Sequence, residues 1–210
     1  MATSKLRRCG VRIGLVSDIH ADLPALERAL GILERAGVDR VVCLGDVVEK
    51  GPQPDAVVER LDRLCIPTVA GNHDRNAVRH AELEGRDAGM SAATLAWLAA
   101  LPETREYLWA GKHVSLAHAS LGAGDARVLP GEVPKRMRRA LRQRDRDVVV
   151  LGHSHIPMWF AWSGCWLGNP GSISKGRCRL GATCGVLVLP ALELELYSMG
   201  TGRRVALKPS

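Results

Sequence analysis

Short apolar runs alternate with amphipathic segments through the first half of the chain. Residues 11–17 form an apolar run bounded by glycine and aspartate, and residues 40–44 and 66–70 repeat this pattern, which is typical of buried strands. Leucines recur at helical spacing after the first run, and residues 54–64 have one apolar face, so both segments are predicted to be helices. Strand, helix and strand in succession predict parallel strands joined by right-handed crossovers.

The remainder of the chain changes from helical to strand-rich patterning. Ser91 caps one predicted helix, which Pro102 stops, and residues 134–144 form a second, amphipathic helix. Three further apolar runs predict strands at residues 107–109, 113–117 and 148–151. From residue 158 to residue 207, short strands and glycine turns indicate antiparallel pairing. These patterns together predict an α/β fold, two packed sheets with helices outside, in a single domain over residues 1–210.

Composition restricts the class of protein. Hydrophobic residues make up 46% of the chain and charged residues 24%, as in ordinary soluble globular proteins. No apolar stretch approaches the roughly 18 residues of a membrane span, and the run before Asp18 is too short for the core of a signal peptide. The six cysteines form no close pairs of the zinc-knuckle or redox type. We therefore expect a cytoplasmic protein without membrane contact, and we expect Cys43 and Cys65 to be small core residues.

The net charge of +7 is concentrated between Lys135 and Arg146. A positive field raises the encounter rate of anionic substrates, and a solvated outer helix face would also explain the excess. A ridge that contacts nucleic-acid phosphates is the alternative interpretation. Tryptophans between Trp159 and Trp166 could stack bases, although packing of the second sheet explains them more simply. The sequence assigns no oligomeric state.

Polar side chains follow five of the predicted strands at the point where each strand ends. The motifs are D-x-H, GD, GNHD, a single histidine and GHSH, and they supply these residues: Asp18, His20, Asp46, Asn72, His73, Asp74, His118, His153 and His155. Ligands of open α/β sheets bind beyond the carboxyl ends of the strands. Each motif alone is compatible with a turn, a helix cap or a core histidine. Their joint placement predicts one site.

This set of donors suits a pair of transition-metal ions. Two cations about 3.5–4 Å apart can clamp the attacking and leaving oxygens of a phosphate ester. Ions that close together need a bridging carboxylate to offset their repulsion. Imidazole nitrogen mixed with carboxylate and amide oxygen favours Mn, Fe, Zn, Co or Ni over Mg or Ca.

The five motifs, in this order and followed by NPGS at residues 169–172, resemble the calcineurin-like metallophosphoesterases, in particular their small bacterial and archaeal members. The similarity covers most of the chain. It implies a four-layer α/β/β/α sandwich with two packed mixed sheets flanked by helices. It also implies phosphodiester hydrolysis with two divalent transition metals, Mn foremost and Fe, Zn, Co or Ni as alternatives.

The resemblance also implies a role for each motif residue. Asp18, His20 and His155 would hold the first metal, and Asn72, His118 and His153 the second. Asp46 would bridge both metals, and a bridging hydroxide would be the nucleophile. His73 would donate to a phosphate oxygen or protonate the leaving group, and Asp74 would orient His73.

Several functions remain open for this resemblance. The leading expectation is a phosphodiesterase for small or nucleotide-like esters, whose substrate could border the loop at residues 49–52 or contact Arg75. Alternatives are a phosphomonoesterase, a protein phosphatase or a dinucleoside-polyphosphate hydrolase. A non-enzymatic alternative is a scaffold or interaction protein of the same fold. Scaffolds of this kind tend to lose ligands or the acid, whereas every motif residue is retained here.

Overall fold

A computed structural model describes residues 10–85, 89–122, 124–142 and 145–207. The described strands are β1 Val11–Val16, β2 Arg40–Cys43, β3 Thr104–Trp109, β4 Lys112–Ala117, β5 Val148–Val150, β6 Met158–Trp162, β7 Cys165–Asn169, β8 Thr183–Leu189, β9 Glu193–Ser198 and β10 Arg204–Val205. The described helices are α1 Leu23–Arg35, α2 Pro54–Arg63, α3 Asn72–Glu84, α4 Ala92–Ala99 and α5 Lys135–Arg142. None of these helices is both long and apolar enough to cross a membrane.

The strands form two mixed sheets of five strands each. The first has the order β10-β9-β8-β1-β2, with β1 parallel to β2 and antiparallel to β8. The second has the order β3-β4-β5-β7-β6, with β5 parallel to both of its neighbours. The parallel pair β1 and β2 is joined through α1, as the alternating pattern predicts.

Side chains alternate along β1 and thereby define the layers. Ile13 and Leu15 belong to the core between the two sheets, together with Val114 and Val148 of the second sheet. Gly14 faces the opposite way, where a Cβ atom would lie only 3.0 Å from the Leu33 side chain, so α1 packs closely on the first sheet.

The outer faces of the sheets are covered by helices. Helices α1 and α2 pack against the first sheet, and Met137 and Leu141 of α5 pack on the outer face of the second. The predicted α/β/β/α sandwich is therefore confirmed.

Helix α1 begins and ends at residues that commonly cap helices. Asp22 accepts a hydrogen bond from the Ala25 amide at 2.9 Å, which caps the first turn. Pro24 lies in that turn, and Gly37 follows the helix with φ of 69°.

Three expectations need correction. The third predicted strand, at residues 66–70, is only a single bridge from Thr68 to Cys43, because Pro67 has no amide hydrogen to extend the pairing. Helix α3 was not predicted as a separate element, since its sequence is polar and buries few apolar side chains. Cys43 is buried as expected, whereas Cys65 is exposed.

Candidate metal centre

The motif residues meet at one edge of the sandwich. Strands β1 and β2 of the first sheet and β4 and β5 of the second all end there, and α3 begins there. Because the carboxyl ends of these strands lie together, loops from both sheets contribute to one site. The residues brought together are Asp18, His20, Asp46, His73, His118, His153 and His155.

Asp18, His20 and His155 form the first group of potential ligands. One donor atom from each lies within 4.8 Å of the others. His155 Nε2 is 3.1 Å from Asp18 Oδ1 and 3.4 Å from His20 Nε2. All three side chains are buried, so their donor atoms are largely shielded from bulk solvent.

Asp46, His118 and His153 form a second group beside the first. Their donor atoms also lie within 4.8 Å of one another, and His118 Nε2 is 3.1 Å from Asp46 Oδ2. A third combination joins Asp46 to His20 and His73. Asp46 thus takes part in both the second and third groups, which is the position that a bridging carboxylate requires.

Buried donor atoms without hydrogen bonds show that the site fits metal ions. Among the described residues, Asp18 Oδ1, Asn72 Oδ1 and His118 Nε2 are buried and make no hydrogen bond of acceptable geometry. The close polar neighbours of Asp18 Oδ1 and His118 Nε2 are themselves candidate ligands. An unsatisfied buried polar atom costs about 1–3 kcal/mol. Carboxylate oxygen, amide oxygen and imidazole nitrogen pointing into one space are the donors that first-row divalent cations accept.

Backbone carbonyls orient two of the histidines. His118 Nδ1 lies 2.7 Å from the carbonyl oxygen of Leu44, and His155 Nδ1 lies 2.7 Å from that of Lys175. Because a carbonyl can only accept, each Nδ1 carries the proton. Each Nε2 then faces the site, and once deprotonated it can offer its lone pair to a cation, the usual arrangement for metal-ligating histidine.

The charges of the site follow from burial and from its neighbours. Burial, assisted by Lys50, lowers the pKa of His20 to about 4. Burial would lower the pKa of His118 as well, but Asp46 and Asp18 outweigh it and raise that pKa to about 9. Burial favours the neutral form of Asp46, yet His118 holds the pKa of that carboxyl well below its ordinary value. A bound cation would take the place of the His118 proton.

The backbone of the site is strained at its ligands. Five candidate ligands have positive φ angles between 53° and 64°: Asp18, His20, Asp46, His153 and His155. Non-glycine residues rarely adopt this conformation, and such residues cluster at functional sites. Hydrogen bonds from the Asp18 amide to the Gly45 carbonyl and from the His20 amide to the Asp46 carbonyl hold the two loops together, at 3.0 and 2.9 Å.

His73 lies at the rim of the site in the first turn of α3. Its Nε2 is 3.9 Å from Asp46 Oδ2, and its side chain is 24% exposed. Its amide donates to Asp46 Oδ1 at 3.0 Å. The ring therefore lies next to the potential ligands and remains accessible to a substrate.

The predicted role of Asp74 as the partner of His73 is wrong. The Asp74 carboxylate accepts hydrogen bonds from the amides of Val47, Val48 and Gly71, and among the described residues none joins it to His73. Burial, followed by the charge of Asp46, raises the pKa of Asp74 to about 6. Asp74 thus fastens the loop after β2 to the start of α3.

Glu49 takes the place that sequence reasoning gave to Asp74. Its Oε2 contacts His73 Nδ1. Glu49 has a positive φ of 66° in the loop that follows Asp46, a loop expected to border the substrate. Its acidic side chain three residues after the GD motif was the signal in the sequence.

Residues after β7 also support the site. Asn169 donates to the Gly152 carbonyl and to Ser154 Oγ, which fixes the GHSH loop. Ser172 Oγ donates to the Asp18 carbonyl at 3.0 Å. The NPGS motif therefore connects the two ligand-bearing loops.

Contacts with other residues account for two of the weaker sequence signals. Arg75 forms an ion pair with Asp125. Trp159 and Trp166 stack with centroids 5.1 Å apart and pack against the core between the sheets, as their packing interpretation predicts.

Comparison with known proteins agrees with this architecture. The model of the calcineurin-like phosphoesterase superfamily domain matches residues 11–190. The phosphodiesterase YfcE of Escherichia coli is 29% identical, over 95% of this chain and 100% of that protein. An uncharacterized protein of Methanocaldococcus jannaschii is also 29% identical, over 77% of this chain and 69% of that protein. A metallophosphoesterase structure from Sphaerobacter thermophilus superposes with a TM-score of 0.71 at 23% identity, covering 94% of this chain and 89% of the other.

Proposed function

Because this chain belongs to the calcineurin-like phosphoesterase superfamily, a family of phosphate-ester hydrolases, we propose that it is a metal-dependent phosphodiesterase for small or nucleotide-like esters. The observation that carries the proposal is the convergence of buried, unsatisfied oxygen and nitrogen donors at one edge of the sandwich. The similarity to YfcE, which is named a phosphodiesterase, favours diesters over monoesters.

The proposed centre holds two divalent transition metals, Mn foremost. Asp18, His20 and His155 would hold one cation, and Asn72, His118 and His153 would hold the other. Asp46 would be shared between them. When bound, the two cations neutralise the phosphate charge and activate water for attack on phosphorus.

His73 is the proposed general acid. Its Nδ1 is engaged by Glu49, so the proton available for transfer is on Nε2, the nitrogen nearer to Asp46. Transfer of that proton to the leaving-group oxygen neutralises the developing alkoxide, and the Glu49 carboxylate orients the ring through Nδ1.

The test is hydrolysis of bis(p-nitrophenyl) phosphate and p-nitrophenyl phosphate by protein loaded with Mn²⁺. We expect the diester to be the better substrate. Asp46→Asn should abolish hydrolysis and reduce the metal content, since both cations lose the same ligand. His73→Ala should lower kcat about a hundredfold or more while the metal content is retained.

Asp145→Asn is the matched control for the Asp46 variant. It removes the same charge from an exposed position, so activity should remain unchanged. Absence of diester hydrolysis with each of Mn, Fe, Zn, Co and Ni would contradict the proposal. Equal loss of metal from the Asp46 and His73 variants would show that His73 is a ligand and not the acid.

A further inference from the structure

An open cleft of about 360 Å³ adjoins the first group of potential ligands. His20 and His155 form its inner wall, and Lys50, Lys175 and Arg177 line it farther out. The cleft is therefore continuous with the place where the scissile phosphate would bind. A substrate group that extends from that phosphate on this side would enter a space lined by positively charged side chains.

The three cations come from two separate loops and are not neutralised. Among the residues described by the structure, none of the three has a carboxylate within ion-pair distance. The cleft includes one acidic residue, Asp22, whose carboxylate caps α1. Beside the second group of candidate ligands, Arg75 is paired with Asp125 and is therefore not available to a substrate anion in the same way.

Hydrogen bonds to a candidate ligand fix the cationic loop in place. The Lys175 carbonyl accepts from His155 Nδ1 at 2.7 Å, and the Arg177 amide donates to the His155 carbonyl at 3.2 Å. On the other wall, Lys50 Nζ is 3.0 Å from His20 Nε2. The backbones of Lys175 and Arg177 are thus anchored at a residue that borders the scissile phosphate, and their side chains remain exposed. The Lys50 ammonium lies at the inner end of the cleft, against His20.

We infer that Lys50, Lys175 and Arg177 form a subsite for a second phosphate group of the substrate, next to the one that is hydrolysed. The inference rests on the proposed function, and it narrows the substrate class to phosphate esters with an additional phosphoryl group on the part that enters this cleft. The scissile phosphate of such a substrate would bind at the metal centre, and its second phosphate would bind to the three basic side chains. No aromatic side chain other than the two histidines lines the cleft within the described residues, so the phosphate and not a stacked base is recognised.

A matched pair of chromogenic esters isolates the second phosphate. Thymidine 5′-(p-nitrophenyl phosphate) and its 3′-phosphorylated form contain the same scissile bond and differ by one phosphate. With the Mn²⁺ protein at low ionic strength, we expect kcat/KM to be about tenfold higher for the 3′-phosphorylated ester, because two or more partly exposed ion pairs each contribute modestly. The preference should decrease as salt is added.

Variants assign the preference to particular residues. In a Lys175→Gln, Arg177→Gln double variant the ratio of the two kcat/KM values should fall close to one. Both substitutions keep the backbone bonds to His155. Arg179→Gln is the control, since Arg179 is exposed in the same loop but does not line the cleft, and its ratio should match that of the wild type.

Calorimetric binding of thymidine 3′,5′-bisphosphate and thymidine 5′-monophosphate repeats the comparison without turnover. We expect the bisphosphate to bind about tenfold more tightly than the monophosphate. This difference should be present only in protein with Lys175 and Arg177 intact. Equal affinities and equal kcat/KM values in the wild type would overturn the subsite, as would an equal effect of Arg179→Gln. Failure to hydrolyse either ester, with the binding preference present, would instead contradict the proposed function.

Discussion

Replacement of Gly71 by alanine tests how closely helix α3 approaches Asp46. Gly71 immediately precedes α3 with φ of −86°, a conformation that any residue can adopt, so only space decides the outcome. A Cβ atom there would lie 2.1 Å from Asp46 Oδ1 and 2.2 Å from the Asp46 amide nitrogen. Since contacts under 3.0 Å essentially never occur, the two segments must separate by about 1 Å.

The magnitude follows from that displacement. Overpacking of this kind costs about 1–3 kcal/mol in the free energy of unfolding, which corresponds to a decrease in Tm of about 2–12 °C for a chain of this size. A 1 Å shift of a catalytic group can reduce the rate about a hundredfold. Asp46 is the proposed shared ligand, so we expect Gly71→Ala to lose metal as well as activity.

The assay combines thermal unfolding, metal content and diester hydrolysis. Gly31→Ala is the control, because its Cβ atom would lie 3.5 Å from Arg35 Nη1, an ordinary van der Waals distance. This substitution lies within α1 and should stabilise the protein by about 0.5–1 kcal/mol without a change in activity. Wild-type stability and turnover in Gly71→Ala would refute the close approach of α3 to Asp46.

Three further substitutions test other parts of the structure. Glu49→Gln should reduce kcat about tenfold to a hundredfold with the metal content unchanged, because His73 loses its charged partner; an unaltered kcat would exclude Glu49 as that partner. Asn169→Ala should lower the free energy of unfolding by about 2–4 kcal/mol in urea titrations, since it leaves buried groups unpaired, and a change under 0.5 kcal/mol would contradict this. Burial opposes the charge of Glu195, but hydrogen bonds from Arg12 and Tyr197 hold its pKa below the ordinary value of 4.5. Because the pKa is lowered in the folded state, the ionised Glu195 stabilises the protein above pH 4.5, and this stabilisation is lost as the pH falls through the folded-state pKa. The difference in free energy of unfolding between wild type and Glu195→Gln should therefore be about 1–3 kcal/mol at pH 7 and should decrease below pH 4.5. A difference independent of pH would show that the carboxylate charge has no part in it.

The layers of the sandwich could be predicted because the patterns that indicate strands and helices are local in the sequence. Apolar runs and helical spacing are read directly along the chain, and strands such as β1 and β2 match their predicted positions within a residue. The segment at residues 66–70 failed because a strand needs a partner ladder, and Pro67 interrupts that ladder. Helix α3 was missed since its stability comes from its capping interactions and position, and little from an apolar face.

The convergence of the candidate donors at one edge was predictable, whereas the contacts that support them were less so. Polar motifs at strand ends converge once the strands are parallel, so the donor set could be inferred from topology. The sequence could not show that Glu49, and not Asp74, contacts His73. Adjacent residues in a helix turn point in different directions, so Asp74 is directed away from the His73 ring. The cationic cleft depends on the path of the loop after β7, which no pattern in the sequence determines.

The most direct test of the central claim is an anomalous difference map from crystals grown with Mn²⁺. We predict two peaks about 3.5–4 Å apart with Asp46 between them. One should lie among Asp18, His20 and His155, and the other against His118 and His153. A map without peaks at this edge, or with a single peak that Asp46 does not contact, would contradict the two-metal centre.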